Sequence, residues 1–563
     1  MINKETETKA QKSERLKREK NPWQGLEEIR RFAREGFEAI PPDWIGTYFR
    51  WWGVYTQGDG AGVLGGKGGQ GKSVPYFMVR IRVPNGLLTS RQLRTVADLT
   101  ERHARGAADL TVRQNIQLHW ITIEALPDVL DALQACGLGT IGACGDVTRN
   151  ITGCPLAGAD AEEICDASPL ALEANQLFAG NSDFYNLPRK FKICITGCNA
   201  WCAYPEINDV GLTAVRRGSE VGFSLRVGGG LSTDPHLAAR LNAFVRWPQV
   251  LPVLRGVAEI FRESNALREN RERARLKFLF LRHGWTAERF QEELEHRIGF
   301  HLDPAVEENV PADIYRDHVG IHPQKQPELF YVGAAVLRGK VTAEQMRAAA
   351  DLADRFADGS LRTTVMQNLV IVNVPCKNTG ELARELAAIG LPVSGSPFWR
   401  GTIACTGTEF CKLAITETKS YSRWLVEEME ERLPEFDQQL KLHVTGCPNS
   451  CGQHWIADVG LEGKKIKVDG RQQDAYYFCL GGAVGQFQAI SRPVGYRCLA
   501  SEVPQALERL LRRYLKERTS GENLRQFFSR HSDAELREHL AGEAVTEVAR
   551  DAATGRVPHA VEG

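Results

Sequence analysis

Three features of the chain predict an α+β fold made by internal duplication, in the order A–B–A′–B′. The segment from Tyr76, YFMVRIRVPNGLLTSRQLRTVADL, returns from Phe330 as FYVGAAVLRGKVTAEQMRAAADL. Thr89, Gln92, Arg94, Ala97, Asp98 and Leu99 thereby recur as Thr342, Gln345, Arg347, Ala350, Asp351 and Leu352. Gln114-Asn115 recurs as Gln367-Asn368 at the same offset, and ITGCNAWCAYPEINDVGL from Ile195 returns from Val444 as VTGCPNSCGQHWIADVGL. Within each A segment an apolar strand-like run precedes a helical pattern, and a second β-rich run follows, LTVRQNIQLHWITI or TTVMQNLVIVNV.

In chain order, the expected units are an N-terminal arm and lead-in segment over 1–75, A over 76–140, B over 141–311, A′ over 322–392 and B′ over 393–563. The arm opens MINKETETKAQKSERLKREK, a mixed-charge run without the apolar core of a secretory signal, and is expected to be solvated. Gly66-KGGQ-Gly71-Lys72-Ser73 matches the P-loop pattern, but Gly-rich chain precedes it and the strand-like SVPYFMVRIRV follows it. A phosphate loop needs a strand before it and a helix after it, so a surface loop is expected instead. Between the halves RENRERARLKFLFLRHGW reads as a basic helix, and VPADIYRDHVGIHPQ puts a boundary near Ala312 to His322. Past about Glu502 the chain reads as helices and then a polar end. Val227-Gly-Gly-Gly matches Leu480-Gly-Gly; these glycines are either turns or places where backbone comes close to a cofactor.

Lys+Arg and Asp+Glu balance at 70 each among 563 residues, which argues against a nucleic-acid binder. No apolar stretch approaches the ~20 residues of a membrane span, so a cytoplasmic protein with no membrane partner is expected. Its 14 cysteines are then better used for metal or catalysis than for disulfides. Four of them form two close pairs, Cys405-TGTEF-Cys411 and Cys447-PNS-Cys451. Four soft thiolates suit an iron–sulfur cluster or zinc. Zinc knuckles usually place two or three residues between paired cysteines, so these spacings favour the cluster. Cys198 and Cys202 stand in the places of Cys447 and Cys451, but the first half has no C-x5-C pair and offers ACGDVTRN, with Arg149, instead. One cluster is therefore expected, in the second half. The first-half pair is read as a remnant or a packing feature, and the matching first-half region as a candidate substrate wall.

With C-x5-C, TGCPNSCGQ, the loop YNLPRKFK and the R-Q-N-x-Q-x-H run in hand, the chain resembles the sirohaem-dependent sulfite and nitrite reductases from about Phe49 to about Gly485. The resemblance implies that fold: two ferredoxin-like half-domains and two sirohaem/[4Fe-4S]-type α/β domains. It implies that Cys405, Cys411, Cys447 and Cys451 hold a [4Fe-4S] cluster, with Cys451 also bridging to the sirohaem iron. Sirohaem carries eight carboxylates, and arginine is an efficient way to hold them. Arg113, Gln117 and His119 match the residues that bind those acid groups, and on a strand they would share one face. Asn449 is carried over as a further cofactor contact. The cationic substrate residues fall on Arg80, Arg149, Lys190 and Lys192.

Nitrite reductases of plants and cyanobacteria typically have Asn where Lys192 stands, whereas sulfite reductases have Lys. Sulfite is largely dianionic near neutral pH and nitrite carries one charge, so a second cation favours sulfite. Assimilatory reduction of sulfite to sulfide is expected, with nitrite reduction as the alternative and a non-catalytic iron–sulfur electron carrier as a third reading. No flavin or nucleotide module is visible. Electrons are expected from ferredoxin or another external donor, with the basic stretch Arg268 to Lys277 as a candidate docking patch or else as a wall facing the cofactor. A monomer is expected. Tyr55 and Cys144 flank the active side in this branch, either as a covalently linked pair or as two packed side chains.

Overall fold

Four sheets carry the duplication, two in each half. The computed structural model describes residues 7–57, 74–311 and 315–542, so the P-loop-like match at 66–73 lies outside the described residues. In the first half-domain, strands Val54–Thr56, Phe77–Ile81, Ile116–Ile121 and Ala107–Leu110 lie side by side, each antiparallel to its neighbour. The second half-domain orders Gly320–Pro323, Leu329–Ala334, Leu369–Pro375 and Ser360–Thr363 in the same way. Each sheet is completed by a strand from the other half. Lys340–Thr342 pairs with Ala107–Leu110, and Leu87–Thr89 pairs with Ser360–Thr363.

The residues that repeat in the sequence make this exchange. Thr89 with Gln92, and Thr342 with Gln345, form capping boxes that start helices Ser90–His103 and Ala343–Phe356. These two helices pack together. Arg94 pairs with Asp351 at 2.7 Å and Arg347 pairs with Asp98 at 2.9 Å, one contact seen twice about a pseudo-two-fold axis. Gln114 Nε2 donates to the Thr363 carbonyl at 3.1 Å, and Gln367 Nε2 donates to the Leu110 carbonyl at 2.9 Å. Positive φ at residues other than glycine also recurs pairwise, at Asn85 and Arg338, Gln114 and Gln367, Trp201 and Ser450, and Tyr204 and Gln453. One apolar core, from Val79 and Leu93 to Met346 and Ile371, runs through both half-domains.

Each α/β domain has a sheet with a parallel pair: Ile193–Thr196 with Val210–Arg217, and Leu442–Thr445 with Val459–Val468. A parallel pair needs a long crossover. Here the crossover is the cysteine loop, which places Cys198 and Cys202, or Cys447 and Cys451, just beyond a strand's carboxyl end. Gly228 and Gly481 have φ near 80° (80° and 76°), and a Cβ on Gly229 or Gly482 would meet the Glu206 or Trp455 carbonyl at 2.3 or 2.6 Å. The repeated glycines thus let the strand end pack against the cysteine loop. Helices Val503–Glu517, Leu524–Arg530 and Asp533–Ala541 cover the second domain's sheet. Among the described residues no helix is long and apolar enough to cross a membrane.

Two expectations need correction. The charged arm is a docked helix, Lys9–Glu19, with Leu16 and Lys17 fully buried. Lys17 pairs with Glu14, lies 3.6 Å from Asp146 and donates to the Leu187 carbonyl at 2.9 Å. The basic stretch is not one helix but two 3₁₀ turns, Asn265–Arg268 and Arg271–Arg273, and a short helix Phe278–Arg282. Four of its cations are drawn inward by their own partners: Arg268 by Glu14, Arg271 by Asp146, Arg275 by Asp209, and Lys277 by the Leu231 carbonyl. Arg275 and Lys277 are 6 % and 1 % exposed, so these two face the interior rather than a partner.

Candidate active site

The four cluster-type cysteines converge from two loops. Cys405 follows strand Thr402–Ala404, Cys411 follows a 3₁₀ turn, and Cys447 and Cys451 lie on the crossover loop. The Cys447 thiol is pushed up by burial and by Cys451, with Cys405 and Cys411 adding to it, so all four sit within electrostatic reach of one another. Gaps of five and three residues within the two pairs suit a polynuclear cluster better than a zinc knuckle. Cys451 and Asn449 are exposed, and Cys447 is buried.

Beneath the Cys405–Cys411 loop, the first half-domain presents a row of cross-strand partners: Arg80, Gln117, Asp109 and Lys340. Arg80 Nε donates to Gln117 Oε1 at 2.8 Å, and Lys340 pairs with Glu409 inside the loop at 3.1 Å. His119 stacks on Phe410 with ring centroids 3.8 Å apart, and its Nε2 lies 3.3 Å from the Asp109 carboxylate. Burial pushes Asp109 upward, but Lys419 and His119 outweigh it and hold the carboxyl well below its usual range. Asp109 and Lys340 were not singled out in the sequence, because only the pairing register sets them beside Gln117, and neither was Lys419, which the fold brings 3.5 Å from Asp109. Arg113 does not share the strand face. It sits in the turn before Ile116, beside the left-handed Gln114, and donates to Asn208 Oδ1 at 2.7 Å and to the Asn150 carbonyl.

The cations gather on the first-half side. Arg80 and Arg149 both donate to the Ala143 carbonyl, at 3.4 and 3.3 Å, and Arg80 Nη1 also reaches Cys144 Sγ at 3.0 Å. The Arg80 guanidinium is opposed by burial but stabilised by Cys144, Tyr55 and Cys451, so Tyr55 and Cys144 flank the same cation. Lys190 and Lys192 bracket Phe191, whose ring is buried in the first α/β core and whose backbone N–H bonds the Val147 carbonyl. This alternation turns both lysines the other way, where they are half-buried. Burial lowers Lys190 to about 7, aided by Arg275 and opposed by Cys451, which places it beside the cluster loop. Burial, Arg113 and Lys190 lower Lys192 well below its ordinary value. Asp209, the carboxylate beside them, already pairs with Arg275 at 2.7 Å and accepts the Lys192 backbone N–H at 2.8 Å.

This arrangement fits a polyanionic group. Burial brings Arg113 down to about 9 and Arg82, next to Arg149, down to about 10. Arg113 Nε and Arg82 Nε and Nη2 are buried without a hydrogen-bond partner. Buried, unpartnered guanidinium N–H groups among like charges are costly unless anions meet them.

Comparison with known proteins places these features together. A family model described as the nitrite and sulphite reductase 4Fe-4S domain matches residues 144–302 and 395–547, and one described as the nitrite/sulfite reductase ferredoxin-like half domain matches 70–136 and 322–389. The chain is 36% identical to an assimilatory ferredoxin-dependent nitrite reductase of Haloferax mediterranei, covering 89% of this chain and 88% of that one. It is also 36% identical to a sulfite reductase [ferredoxin] of Mycobacterium tuberculosis, covering 93% and 96%. The solved structure of the Mycobacterium tuberculosis NirA protein superposes with a TM-score of 0.89 at 35% identity, covering 93% of this chain and 97% of that one.

Proposed function

The chain belongs to the nitrite and sulphite reductase family, and from that premise we propose that it is an assimilatory sulfite reductase drawing electrons from reduced ferredoxin. It is an oxidoreductase with sirohaem and a [4Fe-4S] cluster as cofactors. When bound, these supply the electrons and the open iron position at which an anion is reduced. Cys405, Cys411, Cys447 and Cys451 would hold the cluster as thiolates, and Cys451 would also serve the sirohaem. Arg113, Gln117, His119 and Asn449 would meet the sirohaem carboxylates, and Arg82 joins them on the strength of its buried free N–H groups.

Arg80 and Arg149, held by one carbonyl, fix the oxyanion by preorganised charge. Lys190 supplies protons. With a pKa near 7 it holds a transferable proton, and an arriving anion raises its affinity for that proton until an oxygen departs as water. The observation that carries the choice of anion is Lys192, a second amine beside Lys190 whose proton affinity burial, Arg113 and Lys190 lower, and which an arriving dianion would restore more than a monoanion would. Nitrite is the alternative, since relatives of equal identity carry both names. We place the enzyme in the cytoplasm as a monomer.

Measuring kcat/KM for sulfite and nitrite in the wild type and in Lys192→Asn decides the matter. Wild type is expected to prefer sulfite. The substitution should lower kcat/KM for sulfite by about a hundredfold, with a much smaller change for nitrite. A wild type that strongly prefers nitrite overturns the assignment.

A further inference from the structure

The first half has its own set of buried sulfurs. Gln114 and Gln367 show which residues correspond across the duplication. Gln114 Oε1 accepts the Gly153 N–H and Gln367 Oε1 accepts the Ala404 N–H, each at 3.2 Å. The next residue in one half is Cys154, and in the other it is Cys405. Cys198 and Cys202 stand where Cys447 and Cys451 stand. Three of the four cluster positions are therefore cysteines in both halves. The fourth, Cys411, falls six residues after Cys405, and six residues after Cys154 comes Asp160. Asp160 is held by both Arg316 guanidinium nitrogens, at 2.5 and 3.0 Å.

The first-half set is compact. Cys198 Sγ lies 3.7 Å from Cys202 Sγ, and Cys154 Sγ, Cys202 Sγ and a His318 ring nitrogen all lie within 4.8 Å of one another. Tetrahedral zinc with thiolates at ~2.3 Å has sulfurs ~3.8 Å apart. Cys154, Cys198, Cys202 and His318 are 1 %, 2 %, 1 % and 2 % exposed. Neither His318 ring nitrogen has a hydrogen-bond partner, and the residue is held at φ 61°, a conformation that non-glycine side chains seldom adopt. A fully buried imidazole without a hydrogen-bond partner, with a ring nitrogen within 4.8 Å of Cys154 Sγ and Cys202 Sγ, is an unexplained cost without a ligand.

We propose that Cys154, Cys198, Cys202 and His318 bind one zinc ion in a closed Cys3His site, the pseudo-symmetric counterpart of the iron–sulfur centre. Three thiolates and a neutral imidazole leave a net charge of minus one on the site, and Arg316 lies within electrostatic reach of Cys154 and Cys202. Four protein ligands leave no open position, so the role is structural. His318 opens the second half while the cysteines belong to the first α/β domain, so the ion pins the two together. A Cys198–Cys202 disulfide is the competing reading; it leaves Cys154 and His318 unexplained.

The test uses the holoenzyme as purified. Elemental analysis should give about one zinc per chain beyond the iron, and X-ray absorption at the zinc edge should fit three sulfurs at ~2.3 Å and one nitrogen at ~2.0–2.1 Å. His318→Cys should keep zinc with an all-sulfur shell, while Cys154→Ser should lower zinc to less than about a tenth per chain. Zinc-free active enzyme, a mass deficit from a Cys198–Cys202 disulfide, or a zinc shell of nitrogen and oxygen alone (as the half-buried Glu517, His531 and His539 would give) would each overturn the proposal.

Discussion

Lys190 joins the electrostatics of the site to the pH dependence of its chemistry. Its ammonium is taken out of water and crowded by Arg275, Arg189 and Arg149, so the proton is held loosely, near pH 7. A lowered base is protonated below its pKa and empty above it. The kcat/KM of the free enzyme should therefore fall as pH rises through about 7. The bound anion raises the lysine, so the same limb in kcat should lie at higher pH. Lys190→Arg, which stays charged, should abolish both limbs and lower kcat by about a hundredfold or more. A pH–rate profile that keeps its alkaline limb in this variant would exclude Lys190 as the donor. At this scale the sequence was legible where motif and strand alternation agreed, as for Lys190 and Lys192 around Phe191. It was not legible for Asp109 or Asp209, whose importance lies in neighbours that only the fold brings close.

The N-terminal helix shows what is hidden at the level of an element. Its sequence is charged almost throughout, and the residues that dock it, Leu16 and Lys17, look unremarkable among so many ions. Lys17 belongs inside because Asp146, itself buried, waits there with Arg189 and Arg271. Burial raises Asp146, but Arg271, Lys17 and Arg189 overcome this and hold it far below the usual carboxylate range. A depressed carboxyl contributes fully above its ordinary pKa of about 4, and that contribution fades as the pH falls below it. Asp146→Asn leaves buried cations unpaired and should cost about 3–5 kcal/mol, whereas Lys17→Met should cost much less. Hydrogen exchange across Lys9–Glu19 checks this: the helix should open in Asp146→Asn and stay protected in Lys17→Met at neutral pH. The same reasoning explains why a basic run that reads as one helix breaks into turns, since Arg268, Arg271 and Arg275 each answer a different carboxylate.

Across the whole molecule, neither half is complete. Each half-domain sheet takes a strand from the other, and one core serves both. Expressed separately, residues 7–311 and 315–542 should each lack native far-UV dichroism and cooperative unfolding, and co-expression should restore both; a half that folds alone contradicts this view. The duplication itself was readable from Thr89, Gln92, Arg94 and Asp98 because those residues make the shared contact twice. The match of Cys154 to Cys405 was not, since an intervening shift in spacing hid it until Gln114 and Gln367 lined the two up. The reciprocal strand exchange also has a historical consequence. Contacts in which one surface meets its own copy are those of a two-fold homodimer. Such a dimer must place the same residues at both of its centres. Fusing the copies into one polypeptide lifts that constraint, so one lineage of positions can keep four thiolates for electron transfer while its twin keeps three and carries Asp160 in place of the fourth. The asymmetry that a six-electron catalyst needs is something an ancestral pair of identical subunits had no means to evolve.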